Sequence, residues 1–274
     1  MTCKICNSSN LKIITEQDSW KLYRCKDCGF VYKYGVTIQY EELPASYYNV
    51  YNFDRTKEVE EIIEIIKKYY KNISEVNLIE IGSGTGILLN EFQKRGVNVY
   101  GYEPSSIAVE ISKNKFGLEN VKAEYFVGNT FNVHPNVFLL YDVIEHLEEP
   151  KSLFEIVKNS MKNDTIFIIK SGNPSSINAR LFPRKWGYFL IPEHLAFYSE
   201  NAMDKLCNVT GLKLKKYYKF RHAYGGFALK ILISNFIKSI ILRASKIYPA
   251  LYNKLDKKFG VNFANDHYIA VIKI

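Results

Sequence analysis

Glycine and proline are scarce, at 15 and 8 of 274 residues. That excludes collagen-like and low-complexity chains. Five cysteines are too few for a disulfide scaffold of this length. No apolar run reaches the roughly 18 residues a membrane span needs. The longest apolar stretch, Phe227 to Leu251, is broken by Lys230, Lys238, Arg243 and Lys246. No basic run reaches five residues, and Met1-Thr2-Cys3-Lys4 does not read as an export leader. A cytoplasmic address is therefore expected. Disorder is excluded as well, because 47% of residues are hydrophobic and 15% aromatic. A chain of this length can bury roughly 75% of its unfolded surface.

Charge is present in excess: 37 Lys+Arg against 28 Asp+Glu, a net +9. This favours anionic partners, although the lysines are scattered. Four cysteines form two pairs, Cys3-x2-Cys6 and Cys25-x2-Cys28, with 18 residues between them. The spacing suits a four-thiolate structural zinc site. A disulfide pair and a redox pair are the other readings of the same residues. Gly29 sits where a positive φ closes the second knuckle. Leu11–Ile14 and Trp20–Tyr23 alternate as two short strands, so residues 1–38 read as a zinc ribbon. Cys207 stands alone and reads as a buried core thiol.

Residues 39–72 read as an aromatic linker with Tyr47 and Tyr48, then a helix from Arg55 to Lys71. From residue 73 to 274, strands and helices alternate. Strands are expected at 77–81, 97–102, 121–127, 137–141, 165–170, 212–220 and 268–274. Helices are expected at 86–95, 105–115, 150–162 and 201–210. The pattern predicts an α/β fold: a Rossmann-like, mostly parallel seven-stranded sheet with helices on both faces. A helical insert is expected over 225–260. Within it, 227–258 is expected to form a basic amphipathic helix suited to packing, to homodimer pairing, or to peripheral contact with an anionic membrane.

The first strand of the alternating region runs into Glu80-Ile81-Gly82-Ser83-Gly84-Thr85-Gly86. The G-x-G-x-G spacing departs from the dinucleotide fingerprint, since position 87 is Ile. The second strand ends at Glu103, where a carboxylate can accept from a ribose diol. In these residues the chain resembles the class I S-adenosylmethionine-dependent methyltransferases. The likeness extends through Tyr141-Asp142-Val143-Ile144-Glu145-His146 and through Ile191-Pro192-Glu193-His194-Leu195-Ala196-Phe197-Tyr198-Ser199. This last segment is similar to one branch that often carries an N-terminal zinc ribbon and whose members include sugar C-methyltransferases and enzymes of surface-polysaccharide pathways.

The resemblance implies S-adenosylmethionine as methyl donor, held by Glu80, Gly82, Ser83, Gly84, Gly86 and Glu103. It places Asn129 near the adenine and the Tyr141 backbone near the methionine end. Methyl transfer to a hydroxyl or an acidic carbon also needs a base. His146 and His194 are the candidates, with Glu145 orienting a histidine or taking the proton itself. His134, His222 and His267 lack such a setting. The stretch from Asn173 to His194 reads as a long functional loop, with Arg180, Arg184, Lys185 and Trp186 suited to a phosphate-bearing acceptor. The leading expectation is methyl transfer to a small anionic acceptor such as a sugar nucleotide or glycan precursor. RNA stands second as acceptor and a non-catalytic cofactor-binding scaffold third; no DNA partner is expected.

Overall fold

The computed structural model describes residues 1–17, 19–36, 54–220 and 266–274. The Tyr47-Tyr48 segment, His222, the 225–260 insert and the 227–258 helix lie outside the described residues. Two sheets organise the rest. The larger has seven strands: β4 (Asn77–Ile81), β5 (Asn98–Tyr102), β6 (Val121–Lys122), β7 (Val137–Tyr141), β8 (Ile166–Gly172), β10 (Lys213–Phe220) and β11 (His267–Lys273). Their spatial order is β10-β11-β8-β7-β4-β5-β6. Strands β8, β7, β4, β5 and β6 run parallel, and β11 alone is reversed: it lies antiparallel to both β8 and β10, so β10 points the same way as the other five. This is the seven-stranded α/β sheet that the alternation predicts.

Strands β7 and β8 are buried on both faces, which explains their unbroken apolar runs. Helices α1 (Thr56–Ile66), α2 (Ile87–Gln93), α3 (Ser106–Phe116), α4 (Pro150–Ser160) and α7 (Glu200–Thr210) cover the sheet. Ser105 and Ser199 cap α3 and α7 by accepting from Ala108 and Ala202 N–H. Cys207 is fully buried in α7, as expected of a core thiol.

Some expected boundaries move. The first helix stops at Ile66 rather than Lys71. Its last expected turn unwinds so that the Tyr70 hydroxyl reaches the carbonyls of Asn136 (2.9 Å) and Asp164 (2.7 Å). The expected strand 121–127 is paired only over Val121–Lys122. Phe126 instead turns inward, edge-on to Tyr102 and Phe138. The stretch 173–194 is partly helical, with short helices α5 (Ile177–Leu181) and α6 (Gly187–Leu190).

The smaller sheet is built from β1 (Leu11–Gln17), β2 (Trp20–Cys25), β3 (Val31–Tyr34) and β9 (Ala196–Phe197), all antiparallel. The first three lie in the ribbon. The fourth comes from a loop of the large-sheet region, 165 residues from β3's first residue by number (Val31 to Ala196). A third cluster fills this junction: Trp20, Leu22 and Val31 meet Ala179, Trp186, Phe189 and Phe197. Trp186 packs edge-on to Phe189 at 4.4 Å and is 6% exposed. Its indole therefore belongs to the core and not to an acceptor surface, which corrects the reading of this loop's aromatics. Trp186→Ala should lower stability by about 3–5 kcal/mol, measured by urea denaturation. A loss under about 1 kcal/mol would contradict this placement.

Candidate active site

In an open α/β sheet, ligands sit beyond the carboxyl ends of the strands where the strand order reverses. Here β4 lies between β5 and β7, and the loops after β4, β5, β7 and β8 gather at that edge. The turn after β4 is left-handed at three glycines, with φ of 76° at Gly82, 52° at Gly84 and 77° at Gly86. A Cβ on Gly82 would meet Val143 Cγ2 at 2.7 Å, and one on Gly86 would meet Ser112 Cβ at 2.9 Å. A Cβ at Gly84 would meet nothing within 4 Å, so this part of the turn faces open space. The Gly82 and Ser83 N–H groups both donate to Tyr102 O, tying the turn to the end of β5.

Glu103 follows β5. Its carboxylate accepts from the N–H groups of Gly84 and Ser105, each at 2.9 Å. Burial nevertheless holds its pKa above the usual range, against those two donors. Glu80 is 2% exposed, and its Oε2 lacks a hydrogen-bond partner among the described residues. Burial, then the nearby Glu103 charge, push its pKa well up, while Arg55 pulls it back. An orphaned carboxylate oxygen beside a turn open at Gly84 suits a ligand that brings donors: a ribose diol and an ammonium group.

Asn129, on the loop after β6, is bonded within that loop. Its Nδ2 donates to Val133 O (3.1 Å) and its Oδ1 accepts from Phe131 N–H (3.0 Å). The side chain shapes its own loop. Tyr141 closes β7 with its ring under Lys170 Nζ at 4.1 Å, and its hydroxyl accepts from Arg55 Nη1 at 3.3 Å. Burial pushes its pKa up to about 12.

Beyond Tyr141, the chain turns at Asp142, a non-glycine residue with φ of 52°. Lys170, 1% exposed on β8, donates from Nζ to both Asp142 oxygens at 3.0 and 3.2 Å. Burial alone would neutralise either partner. Their mutual attraction outweighs it, holding Lys170 above and Asp142 below the ordinary value. The Tyr188 hydroxyl donates toward Asp142 Oδ1 and, more closely, to Glu145 Oε1. The Ser171 hydroxyl donates to Glu145 Oε2 at 2.9 Å. Fully buried, Glu145 has its pKa pushed up to about 8, by burial first and by Asp142 second.

The two expected histidines meet here. The rings of His146 and His194 lie edge to face with centroids 4.8 Å apart. His146 Nδ1 is 3.0 Å from Glu193 O, and His194 Nδ1 is 3.0 Å from Tyr188 O. A carbonyl can only accept, so both rings carry the proton on Nδ1 and the lone pair on Nε2. Burial, then its neighbour His146, push the His194 pKa down to about 3. Burial also lowers His146, against the opposing pull of Glu193 and Asp142. Ligand atoms of Glu145, His146 and His194 lie within 4.8 Å of one another.

Several site residues escape the sequence pattern. Arg55, Lys170, Ser171 and Tyr188 have no motif to announce them. Tyr188 packs against Gly172 so closely that no Cβ fits there. His267, which the sequence leaves without a setting, faces Tyr188 at 5.5 Å between centroids. It arrives because β11 runs antiparallel, so its first residue lies at the carboxyl end of β8, opposite Gly172. His134 by contrast pairs with Asp164 at 2.9 Å, away from the site.

The four paired cysteines form a second cluster. Cys3 Sγ lies 3.6 Å from Cys28 Sγ, and Cys6 Sγ lies 3.5 Å from Cys25 Sγ. All four sulfurs fall within 4.8 Å of one another. A disulfide would need about 2.05 Å, so these are free thiols. Zinc–sulfur bonds of about 2.3 Å place tetrahedral sulfurs about 3.8 Å apart, close to what is found. Both knuckles close alike: Asn7 N–H donates to Cys3 O and Gly29 N–H to Cys25 O, each at 2.9 Å. Asn7 (φ 59°) takes the left-handed place that Gly29 (φ 78°) takes in the second knuckle.

Residues 51–217, more than half of the chain, match the model of a methyltransferase-domain family, and the chain belongs to that family. It is 24% identical over 116 residues to a ubiquinone biosynthesis O-methyltransferase of Rickettsia bellii (strain OSU 85-389). That match covers 41% of this chain, and the chain spans about half the length of the curated relatives it matches. The fold resembles a SAM-dependent methyltransferase from Archaeoglobus fulgidus, with a TM-score of 0.53 and 15% identity. That likeness covers 84% of this chain and 98% of that one. It also resembles magnesium protoporphyrin IX methyltransferase from Synechocystis PCC 6803 with bound SAH, with a TM-score of 0.51 and 13% identity over 80% of this chain and 83% of that one. Among the described residues, no helix is long and apolar enough to cross a membrane.

Glu145 generates a pH dependence of stability. Its carboxyl titrates near 4.3 when unfolded and near 8 when folded. Folding thus favours the protonated form, and this contribution is lost as pH rises through about 8. Glu145→Gln should therefore lose less stability than wild type between pH 5 and pH 8, by urea unfolding at both. Equal losses would contradict a carboxyl held protonated.

Proposed function

We propose that the protein transfers a methyl group from S-adenosylmethionine to a small anionic acceptor, such as a sugar nucleotide or surface-glycan precursor. The observation that carries the donor assignment is the pairing of the left-handed glycine turn with Glu103, next to the orphaned Glu80 oxygen. Gly82, Ser83, Gly84 and Gly86 form the cradle, Glu103 accepts from the ribose diol, and Glu80 takes a donor at the closed end. When bound, S-adenosylmethionine supplies an electrophilic methyl on a sulfonium sulfur.

The remaining work falls to the chain. Acceptor and donor must be held in contact and in line, largely an entropic contribution. An acceptor hydroxyl or acidic carbon must lose a proton, and the two Nε2 lone pairs suit that task. His146 is the better base, because Asp142 and Glu193 support its protonated form. His194, driven to about 3, acts as its neutral neighbour. Glu145, its pKa pushed up to about 8 by burial, fixes Tyr188 beside them through their close contact. Exposed Arg180, Arg184 and Lys185 on the α5–α6 segment suit an acceptor phosphate. The O-methyltransferase name of the Rickettsia relative favours an oxygen acceptor over carbon as the second reading.

The ribbon cysteines Cys3, Cys6, Cys25 and Cys28 hold one structural Zn²⁺. Four thiolates leave the metal no open position for chemistry.

Calorimetry should detect S-adenosylhomocysteine binding that weakens by about 10- to 100-fold in Glu103→Ala, the loss of one or two charged hydrogen bonds. Equal or tighter binding of NAD would overturn the donor assignment. Metal analysis of protein purified without chelator should return one zinc per chain. Cys25→Ser should lose that zinc and expose the amides of residues 11–34 to exchange, while those of β4, β7 and β8 stay protected. A chain without metal, or one whose ribbon amides are unaffected, would overturn the zinc assignment.

A further inference from the structure

Lys33 lies on ribbon strand β3, yet it is 6% exposed. Burying an ammonium is unfavourable, and an apolar residue would fill the same space without that cost. Burial holds its pKa down near 8, with Glu193 the opposing influence. Its contacts explain its presence. Nζ donates to Ile191 O at 2.6 Å and lies 5.0 Å from the centre of the Trp20 ring. Ile191 O also accepts from His194 N–H at 3.2 Å. That second bond closes a four-residue turn, Ile191-Pro192-Glu193-His194, with Pro192 at the position where its fixed φ suits a turn. The backbone N–H of Lys33 donates to Leu195 O at 2.7 Å, and Leu195 N–H donates to Glu145 O at 2.7 Å.

One lysine thus holds both ends of the turn, through its ammonium at Ile191 and its backbone at Leu195. Both imidazoles depend on this turn. Glu193 O, at its third position, receives His146 Nδ1–H, and His194 is its fourth residue.

We propose that Lys33 is a positioning residue of the active site, fixing the Ile191–Leu195 turn so that His146 and His194 keep their Nδ1–H tautomers and their mutual geometry. The ribbon then reaches the proposed catalytic turn through Lys33, by its ammonium at Ile191 and its backbone at Leu195. This rests on the reading of the two histidines as the proton-handling pair.

The test uses long-range proton–nitrogen spectra of the imidazoles in the full chain. Wild type should give both histidines as Nδ1–H tautomers. Lys33→Met keeps the stem and removes the donors; it should move both rings toward a tautomer mixture while zinc content stays at one per chain. Lys33→Arg, which restores a cationic donor, should return at least one ring toward the wild-type position. Superimposable imidazole spectra for wild type and Lys33→Met, with metal content and thermal midpoint retained, would overturn the proposal. Should Lys33→Met fail to fold, the wild-type ammonium resonance decides. Slow exchange of the Lys33 Nζ protons supports the clamp, and exchange as fast as that of surface lysines overturns it. Calorimetry with S-adenosylhomocysteine separates the two readings. Absent binding with responsive imidazoles would sink the proposed function and leave the clamp standing.

Discussion

The ion pair between Lys170 and Asp142 is the interaction on which the site depends. Asp142 takes a left-handed conformation that non-glycine residues adopt at a cost. The buried ammonium of Lys170 on the neighbouring strand compensates for it. That conformation swings the chain off β7 and brings Val143 against Gly82, so the loop after β7 and the glycine turn share one contact. It also aims Asp142 at Tyr188, and through Tyr188 at Glu145. Removing Lys170 would leave Asp142 without its counterion, and removal of one partner is the costly way to break a buried pair.

Around this pair the charges are graded by environment. Asp142 stays ionised because Lys170 is adjacent. Glu145, three residues on, is pushed up to about 8 by burial first and by the repulsion of Asp142 second, against the hydrogen bonds of Tyr188, Ser171 and its own backbone. Two carboxyls so close in sequence are thus pushed to opposite states, a common way for a site to obtain both an anion and an acid at neutral pH. The histidines are kept neutral by the same burial. The ribbon enters this arrangement physically: β3 pairs with β9, and the turn just before β9 carries His194. The small cysteine-bearing sheet meets the loop that carries His194 through β9 and through the aromatic junction at Trp186.

Much of the fold was legible because its signals are local. β4 and β7 fall where their apolar runs place them, and Ser105 with Gly117 brackets α3 as cap chemistry requires. The cysteine pairs and the glycine turn were legible from spacing, and His146, His194 and Glu145 do converge. What was not legible is non-local. Lys170 reads as an ordinary strand residue until β8 sets it beside Asp142. His267 has no motif, and only the antiparallel direction of β11 carries it to the site. Trp186 reads as a loop aromatic because nothing in its neighbourhood announces the ribbon strands that cover it. The hydrogen bonds of Asn129 within its own loop likewise had no signal in the sequence.

The proposed reaction is methyl transfer to a small anionic molecule. The most direct measurement incubates the purified protein with methyl-labelled S-adenosylmethionine and a metabolite extract of cells, then identifies what carries the label. Label is expected in a phosphorylated glycan precursor, formed in step with S-adenosylhomocysteine and lost in His146→Ala. Label confined to RNA, or S-adenosylhomocysteine binding with no labelled metabolite at all, would contradict it.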